Sequence, residues 1–162
     1  MKVTAFLFLM AFAHHCFSQQ GQSRHMEQFS NNDFRLDYPS SWEADSSKTW
    51  GPELILFSPL ESEADKFSEN VNVLVEDLEG RNVGLDDYKQ ITDQQITTLA
   101  TDGVILESAI VRTNAGEHYR VTYTMTQGNF KLKITTLTFI HHDRAFVVTF
   151  TAEADQYDHY KE

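Results

Sequence analysis

The 162-residue sequence predicts a single α/β domain of the α+β kind, in which a central antiparallel β-sheet is flanked by helices. Most of the chain alternates apolar and polar residues with a period of two, which is typical of strands. One segment, residues 85–99, instead has apolar residues three and four apart, which is typical of an amphipathic helix. The four extended segments after it are joined by links of two or three residues, which favours antiparallel neighbours.

The N-terminus has the pattern of a secretory signal peptide, predicted over residues 1–18. A lysine precedes an apolar run over residues 3–13, which is too short to span a bilayer. We expect cleavage after Ser18, or one residue later, so that Cys16 is removed and the mature protein forms no disulfide. Lipidation of Cys16 is the disfavoured alternative, because His15 stands where a lipidation motif has a small residue. The mature protein is therefore expected to be exported, either periplasmic or secreted.

The segment 19–33 is rich in Gln, Ser and Asn and poor in apolar residues, which predicts a disordered leader. One ordered domain is expected over residues 34–162. Its first half is predicted to hold three short strands and one longer interior strand, because apolar and β-branched residues alternate there. These strands are expected over residues 34–38, 42–44, 53–58 and 70–78.

The predicted helix over residues 85–99 begins after Gly84 and has two aspartates in its first turn, where the helix dipole favours negative charge. An antiparallel meander is predicted to follow it, and in its second strand alternate residues from Tyr119 to Met125 are expected to face the core. The four strands of the meander are expected over residues 104–113, 117–127, 130–140 and 144–152. The tail over residues 153–162 has helical composition, but a helix of about two turns rarely holds itself.

The chain has 13 basic and 24 acidic residues, for a net charge of −11. Removing the signal peptide with its single lysine leaves 12 basic against 24 acidic residues, or −12. Such a charge opposes binding to nucleic acid and to anionic membrane surfaces, and solubility alone accounts for it. No later apolar window approaches the length of a membrane-spanning helix, so no membrane span is expected.

Five short patterns carry a resemblance to one known family. They are the F-x-L-x-Y-P-x-x-W opening over residues 34–42, the strand end over 57–59, the strand start over 70–73, the helix start over 85–88 and the last strand over 145–152. In this order they resemble the PsbP-like family, which includes the extrinsic photosystem II protein, a Ran-binding nuclear import factor and exported bacterial relatives. The resemblance covers most of the mature chain and implies a PsbP-like fold, a sheet flanked by helices.

The resemblance implies a docking role whose partners differ among relatives, and it transfers no site residue. Relatives continue through a longer C-terminal helix and a closing segment, so the C-terminal end is expected to be truncated here. One apolar sheet face would then be partly uncovered, and self-association through that face is a further expectation.

No catalytic motif is present in the sequence. No serine lies in a G-x-S-x-G elbow, the mature protein has no cysteine, and no nucleotide-binding glycine loop occurs. We therefore expect neither an enzyme nor a cofactor. His141, His142 and Asp143 are weak metal candidates, because they lie in a predicted turn and no further ligand can be named. A solvated polar turn is the favoured interpretation.

Aromatic residues are the remaining candidates for a binding site, because Trp and Tyr are over-represented in binding hot spots. Trp50, Trp42 and Tyr38 lie near one another in the sequence. Trp42 and Tyr38 are favoured as core residues, whereas Trp50 lies in a polar loop beside glycine and proline and is expected to be exposed.

Two functions remain open at this level. The preferred one is a non-catalytic docking module of the cell envelope that binds an unknown protein partner. The alternative is a binder of a small apolar or sugar ligand in a pocket between sheet and helix. A cavity of roughly 300 Å³ or more with apolar walls would favour the second, because a docking module needs only a shallow surface.

Overall fold

The computed structural model describes residues 25–114 and 116–160. In chain order its elements are β1 Met26–Ser30, β2 Arg35–Pro39, β3 Glu43–Asp45, β4 Leu54–Phe57, β5 Asn70–Asp77, α1 Leu85–Leu99, β6 Val104–Thr113, β7 Gly116–Gln127, β8 Phe130–His141, β9 Arg144–Glu153 and α2 Tyr157–Tyr160. The predicted signal peptide, residues 1–18, lies outside the described residues. Every strand and helix predicted after residue 33 is present, with ends that agree within a few residues.

Within the described residues, seven strands form one antiparallel sheet in the order β3-β4-β5-β9-β8-β7-β6. The last four strands form the predicted meander, and β5 lies in the sheet interior between β4 and β9. The fold class is therefore the predicted one, a central antiparallel sheet with helices. No helix in this part of the chain combines the length and the apolar character that crossing a membrane requires.

Helix α1 covers one face of the sheet. Its buried residue Ile96 packs against Tyr119 and Val121, which are fully buried on β7. The predicted core face of β7 is thus the face that the helix covers. At the start of α1 the Gly84 N–H donates a 3.1 Å hydrogen bond to Asp87 Oδ2, which satisfies one of the free donors at the helix N-terminus.

A polar anchor fixes α1 to the sheet at Asp93. Its carboxylate accepts hydrogen bonds from Lys89 Nζ at 2.6 Å, from Ser108 Oγ at 2.7 Å and from the Tyr119 hydroxyl at 2.6 Å. Burial of Asp93 opposes ionisation, but these hydrogen bonds together hold the pKa of its carboxyl below the ordinary value. Burial first, and then the bond to Asp93, raises the pKa of Tyr119. Asp93 is therefore a charged acceptor whose carboxylate is engaged by three side-chain donors.

The hairpin β1–β2 lies over the opposite face of the sheet. Phe29 and Leu36 are directly paired across it, and both pack on the core cluster of Leu54, Leu56 and Val73. The ring centroids of Phe29 and Phe34 are 5.5 Å apart.

The disordered leader predicted over residues 19–33 is therefore wrong for residues 26–30, which form β1. The composition of that segment is polar, but two features order it. All of β1 pairs with the predicted strand β2, and Phe29 contributes one apolar anchor to the core. A polar segment next to an unpaired strand edge can be ordered by backbone hydrogen bonds that composition does not reveal.

An ion pair holds the turn of this hairpin to the sheet. Arg144 Nη1 lies 2.8 Å from Asp33 Oδ1, and this bond holds the pKa of Asp33 below its ordinary value. At the other end of the hairpin the Ser40 N–H donates to the His25 carbonyl at 2.9 Å.

Helix α2 has only four residues, and it is held by tertiary contacts. Tyr157 is 5% exposed, its ring lies 5.4 Å from that of Phe150, and its hydroxyl lies 2.5 Å from Thr135 Oγ1. The Tyr160 hydroxyl donates to Glu61 at 3.0 Å. Contacts of two tyrosines thus fix the position of the short tail, in agreement with the expectation that so short a helix is not stable on its own.

Candidate binding groove

A groove with a volume of about 1240 Å³ lies on the face of the sheet opposite α1. Its walls are the hairpin β1–β2 on one side and α2 on the other, and its floor is formed by alternate residues of the central strands. We call it the sheet groove. Its apolar lining includes Leu36, Trp42, Leu56, Val71, Leu106, Leu137 and Phe150.

Strand register explains why these side chains share one face. Val71 is paired with Phe150, Phe150 with Thr135, and Thr135 with Thr122. Residues paired across an antiparallel sheet point to the same face, so one row crosses four strands and forms the floor. The sequence placed Thr122 correctly on the face of β7 opposite the core.

The floor becomes polar on β7 and β6. Thr122 Oγ1 lies 2.7 Å from Thr135 Oγ1, which in turn bonds to the Tyr157 hydroxyl. Arg120 forms an ion pair with Glu107 across the two strands. The Arg120 Nε is buried and has no hydrogen-bond acceptor in the described part of the chain. Buried donors are nearly always paired in native proteins, so an unpaired Nε on the groove floor is unusual.

Two of the three aromatic residues predicted as binding candidates line the sheet groove. Tyr38 and Trp42 are half-buried, pack on the core cluster and also border the groove, and their role in binding stays a prediction. The Trp42 ring meets that of Tyr160 edge-on at 6.0 Å. Burial first, and then the hydrogen bond to Glu27, raises the pKa of Tyr38.

Trp50 lies apart from the groove, in the loop between β3 and β4. It is 76% exposed, which agrees with the expected exposure. Its role in binding stays a prediction, because the loop brings no other predicted site residue next to it.

His141, His142 and Asp143 occupy the turn between β8 and β9. His142 and Asp143 have positive φ angles of 47° and 56°, as the two central residues of a type I′ hairpin turn do. The two histidine rings lie 3.9 Å apart. Over residues 25–114 and 116–160, no group of three or more His, Cys, Asp or Glu side chains is arranged to hold a metal ion. His141 instead borders a smaller cavity of about 330 Å³ at the far side of the hairpin.

A chain of hydroxyl groups runs across the groove from Thr122 through Thr135 to Tyr157. The imidazoles and carboxylates that also line the groove are His25, His159, Asp37 and Glu107. The sequence did not reveal Arg120, Thr135 or Phe150 as site residues. Their face was predictable from alternation, but the walls that turn this face into a groove were not.

No protein-family model matches the sequence, and no curated protein matches it. Solved structures are similar in fold. Cyanobacterial PsbP from Synechocystis has a TM-score of 0.63 at 12% identity, over 85% of this chain and 86% of that one. A protein of unknown function from Pseudomonas aeruginosa has a TM-score of 0.58 at 11% identity, over 85% and 89%.

LpqN, which is involved in cell envelope biogenesis of Mycobacterium tuberculosis, has a TM-score of 0.54 at 9% identity, over 86% of this chain and 79% of that one. Identities this low show the fold alone. The truncated C-terminal end that the resemblance implies stays a prediction. The chain therefore has a PsbP-like fold, as the family resemblance implies.

Proposed function

We propose that the protein is an exported, non-catalytic binding module of the cell envelope that takes its ligand in the sheet groove. The observation that carries this proposal is the groove itself. Its volume of about 1240 Å³ exceeds the roughly 300–1,000 Å³ of most small-molecule sites, and apolar side chains with a few polar groups line it, as in such sites.

The size of the groove favours the ligand-binding alternative over the protein-docking module that the sequence alone made preferable. A docking surface needs little concavity, whereas this groove is walled on two sides, by the hairpin β1–β2 and by α2. Export is supported by the N-terminal pattern over residues 1–18 and by the similar fold of LpqN, which is involved in cell envelope biogenesis.

Titration with Nile red, a neutral probe that fluoresces in apolar surroundings, tests groove binding. The unmodified mature protein is expected to bind it saturably. Thr122→Trp places a large side chain on the groove floor and is expected to weaken binding about tenfold or more. His118→Trp is the matched control, because His118 lies on the same face of β7, roughly 13 Å along the strand from Thr122.

Failure of the unmodified protein to bind the probe would contradict the proposal. Equal losses in Thr122→Trp and His118→Trp would do the same, since binding would then lie elsewhere. Export is tested separately by the intact mass of the protein secreted from the full-length chain. A mature form that begins near Gln19 without lipid is expected, and an acylated form that begins at Cys16 would overturn it.

A further inference from the structure

We propose that the ligand of the sheet groove is an amphipathic anion, a long-chain carboxylate, whose head group binds Arg120 and whose chain lies along the apolar floor. This inference rests on the proposed function, because it names the ligand class of the same groove.

The groove is polar at one end of its floor and apolar at the other. The floor residues on β6, β7 and β8 are mostly polar or charged, with Leu106 and Leu137 as the exceptions, whereas Leu56 and Val71 on β4 and β5 form the opposite, apolar end. Four strand spacings separate β7 from β4 in the sheet order, or about 19 Å. A floor of this length that is charged at one end and apolar at the other fits an elongated ligand of matching polarity. A compact sugar would leave most of the apolar floor uncovered.

Arg120 has a hydrogen-bond donor that no described residue accepts from. Its guanidinium bonds Glu107 through Nη2, while its buried Nε has no acceptor within the described residues. The Arg120 side chain as a whole is 41% exposed, so it has room to turn toward the groove. A guanidinium presents its donors as a planar fork that binds a carboxylate through two parallel hydrogen bonds. A ligand carboxylate that replaces Glu107 on this fork would supply the acceptor that Nε lacks.

A second cation, Lys133, lies on the same floor. The Lys133 ammonium lies 4.1 Å from the centre of the Tyr157 ring and 3.5 Å from Asp158 Oδ1. Asp158 is 78% exposed, so this ion pair is weak and leaves Lys133 able to face an anion. Besides Glu107, the groove is lined by the carboxylate of Asp37, which lies on the hairpin wall and accepts a 2.6 Å hydrogen bond from Gln28. Lys133 therefore adds a second positive charge to the groove floor, roughly 13 Å along the strands from Arg120.

The experiment compares two ligands that have the same chain length and different head groups. A dansyl-labelled undecanoic acid serves as the fluorescent probe, and dodecanoate and dodecanol compete with it on the unmodified mature protein. Dodecanoate is expected to displace the probe at a concentration about tenfold or more below that of dodecanol, because only the carboxylate forms charge-assisted hydrogen bonds.

Variants then locate the head group. Arg120→Gln is expected to weaken dodecanoate binding about tenfold or more and to weaken dodecanol binding much less, because only the carboxylate needs the guanidinium. Arg112→Gln is the matched control. Arg112 also pairs with a glutamate, Glu117 at 2.5 Å, but it lies away from the groove and is 80% exposed, so neither ligand should be affected. Arg120→Lys keeps a charge without the fork and should lose part of the dodecanoate affinity.

Equal competition by dodecanoate and dodecanol would overturn the inference while Nile red binding still supported the groove. A dodecanoate affinity that is unchanged in Arg120→Gln would also overturn it. Absence of Nile red binding would instead overturn the proposed function beneath it. The head-group comparison uses the unmodified protein, so it decides the matter even if a variant fails to fold.

Discussion

Asp93 is the residue on which the docking of α1 depends most. Replacing it with alanine removes the acceptor for Lys89, Ser108 and Tyr119 at once and leaves the buried Tyr119 hydroxyl without this partner. We expect Asp93→Ala to lower the free energy of unfolding by about 2–3 kcal/mol, as measured by urea denaturation. Asp86→Ala on the exposed first turn of the same helix is the control and should cost a few tenths of a kcal/mol. Equal effects of the two substitutions would show that the anchor is unimportant.

The same carboxylate predicts a pH dependence. Burial of Asp93 is outweighed by its hydrogen bonds, so its pKa in the folded state lies below the ordinary value of 3.8. A lowered pKa means that this stabilisation is present above pH 3.8 and is lost as the pH falls through the folded-state pKa. The difference in unfolding free energy between the unmodified protein and Asp93→Asn should therefore shrink as the pH falls below 3.8. A difference that stays constant across this range would contradict the charged anchor.

Among the elements, strand β1 gives the sharpest prediction because composition alone misidentified it. A chain that begins at residue 31 lacks β1 and with it the packing of Phe29 on the core. We expect it to unfold at lower urea, with a loss of about 2 kcal/mol for a half-buried phenylalanine. A chain that begins at residue 25 is the control and should be as stable as the longer one. Equal stability of both would favour the disordered leader after all.

The short elements also show where prediction from sequence ends. The strands of the meander and helix α1 carry their own periodicity, so their positions could be predicted from residues such as Tyr119 and Ile96. In β1 and α2, by contrast, order depends on contacts with distant residues, as when Tyr157 packs on Phe150 and bonds Thr135. The face that bears Arg120 and Thr122 was predictable from alternation. The groove was not, because its walls are these two short elements.

For the whole molecule, metal is not expected to contribute to stability. The described residues contain no group of three or more His, Cys, Asp or Glu side chains arranged to hold a metal ion, and the turn with His141, His142 and Asp143 forms none. Addition of EDTA should leave the melting temperature unchanged. A fall of more than a few degrees would reveal a structural ion.

The sheet groove also bears on association of whole molecules. On the open groove face Leu106 is 55% exposed and Leu137 and Phe150 are half-buried, and apolar patches beyond a few hundred Å² are uncommon on soluble monomers. We expect the ligand-free mature protein to self-associate as its concentration rises, and bound dodecanoate to shift it toward the monomer, since ligand and second copy would compete for one surface. Sedimentation velocity across a concentration series measures both effects.

Two substitutions assign that association to the groove. Leu137→Glu adds a charge to the groove floor and should abolish self-association, because an unpaired charge is costly to bury in an interface. Leu99→Glu is the control, since Leu99 is a 78% exposed leucine at the end of α1, on the other face of the sheet. If Leu99→Glu rather than Leu137→Glu disperses the protein, the interface lies on the helix side. If the unmodified protein is monomeric at every concentration, the half-open groove is stable in water and is free to receive its ligand without first releasing a second copy.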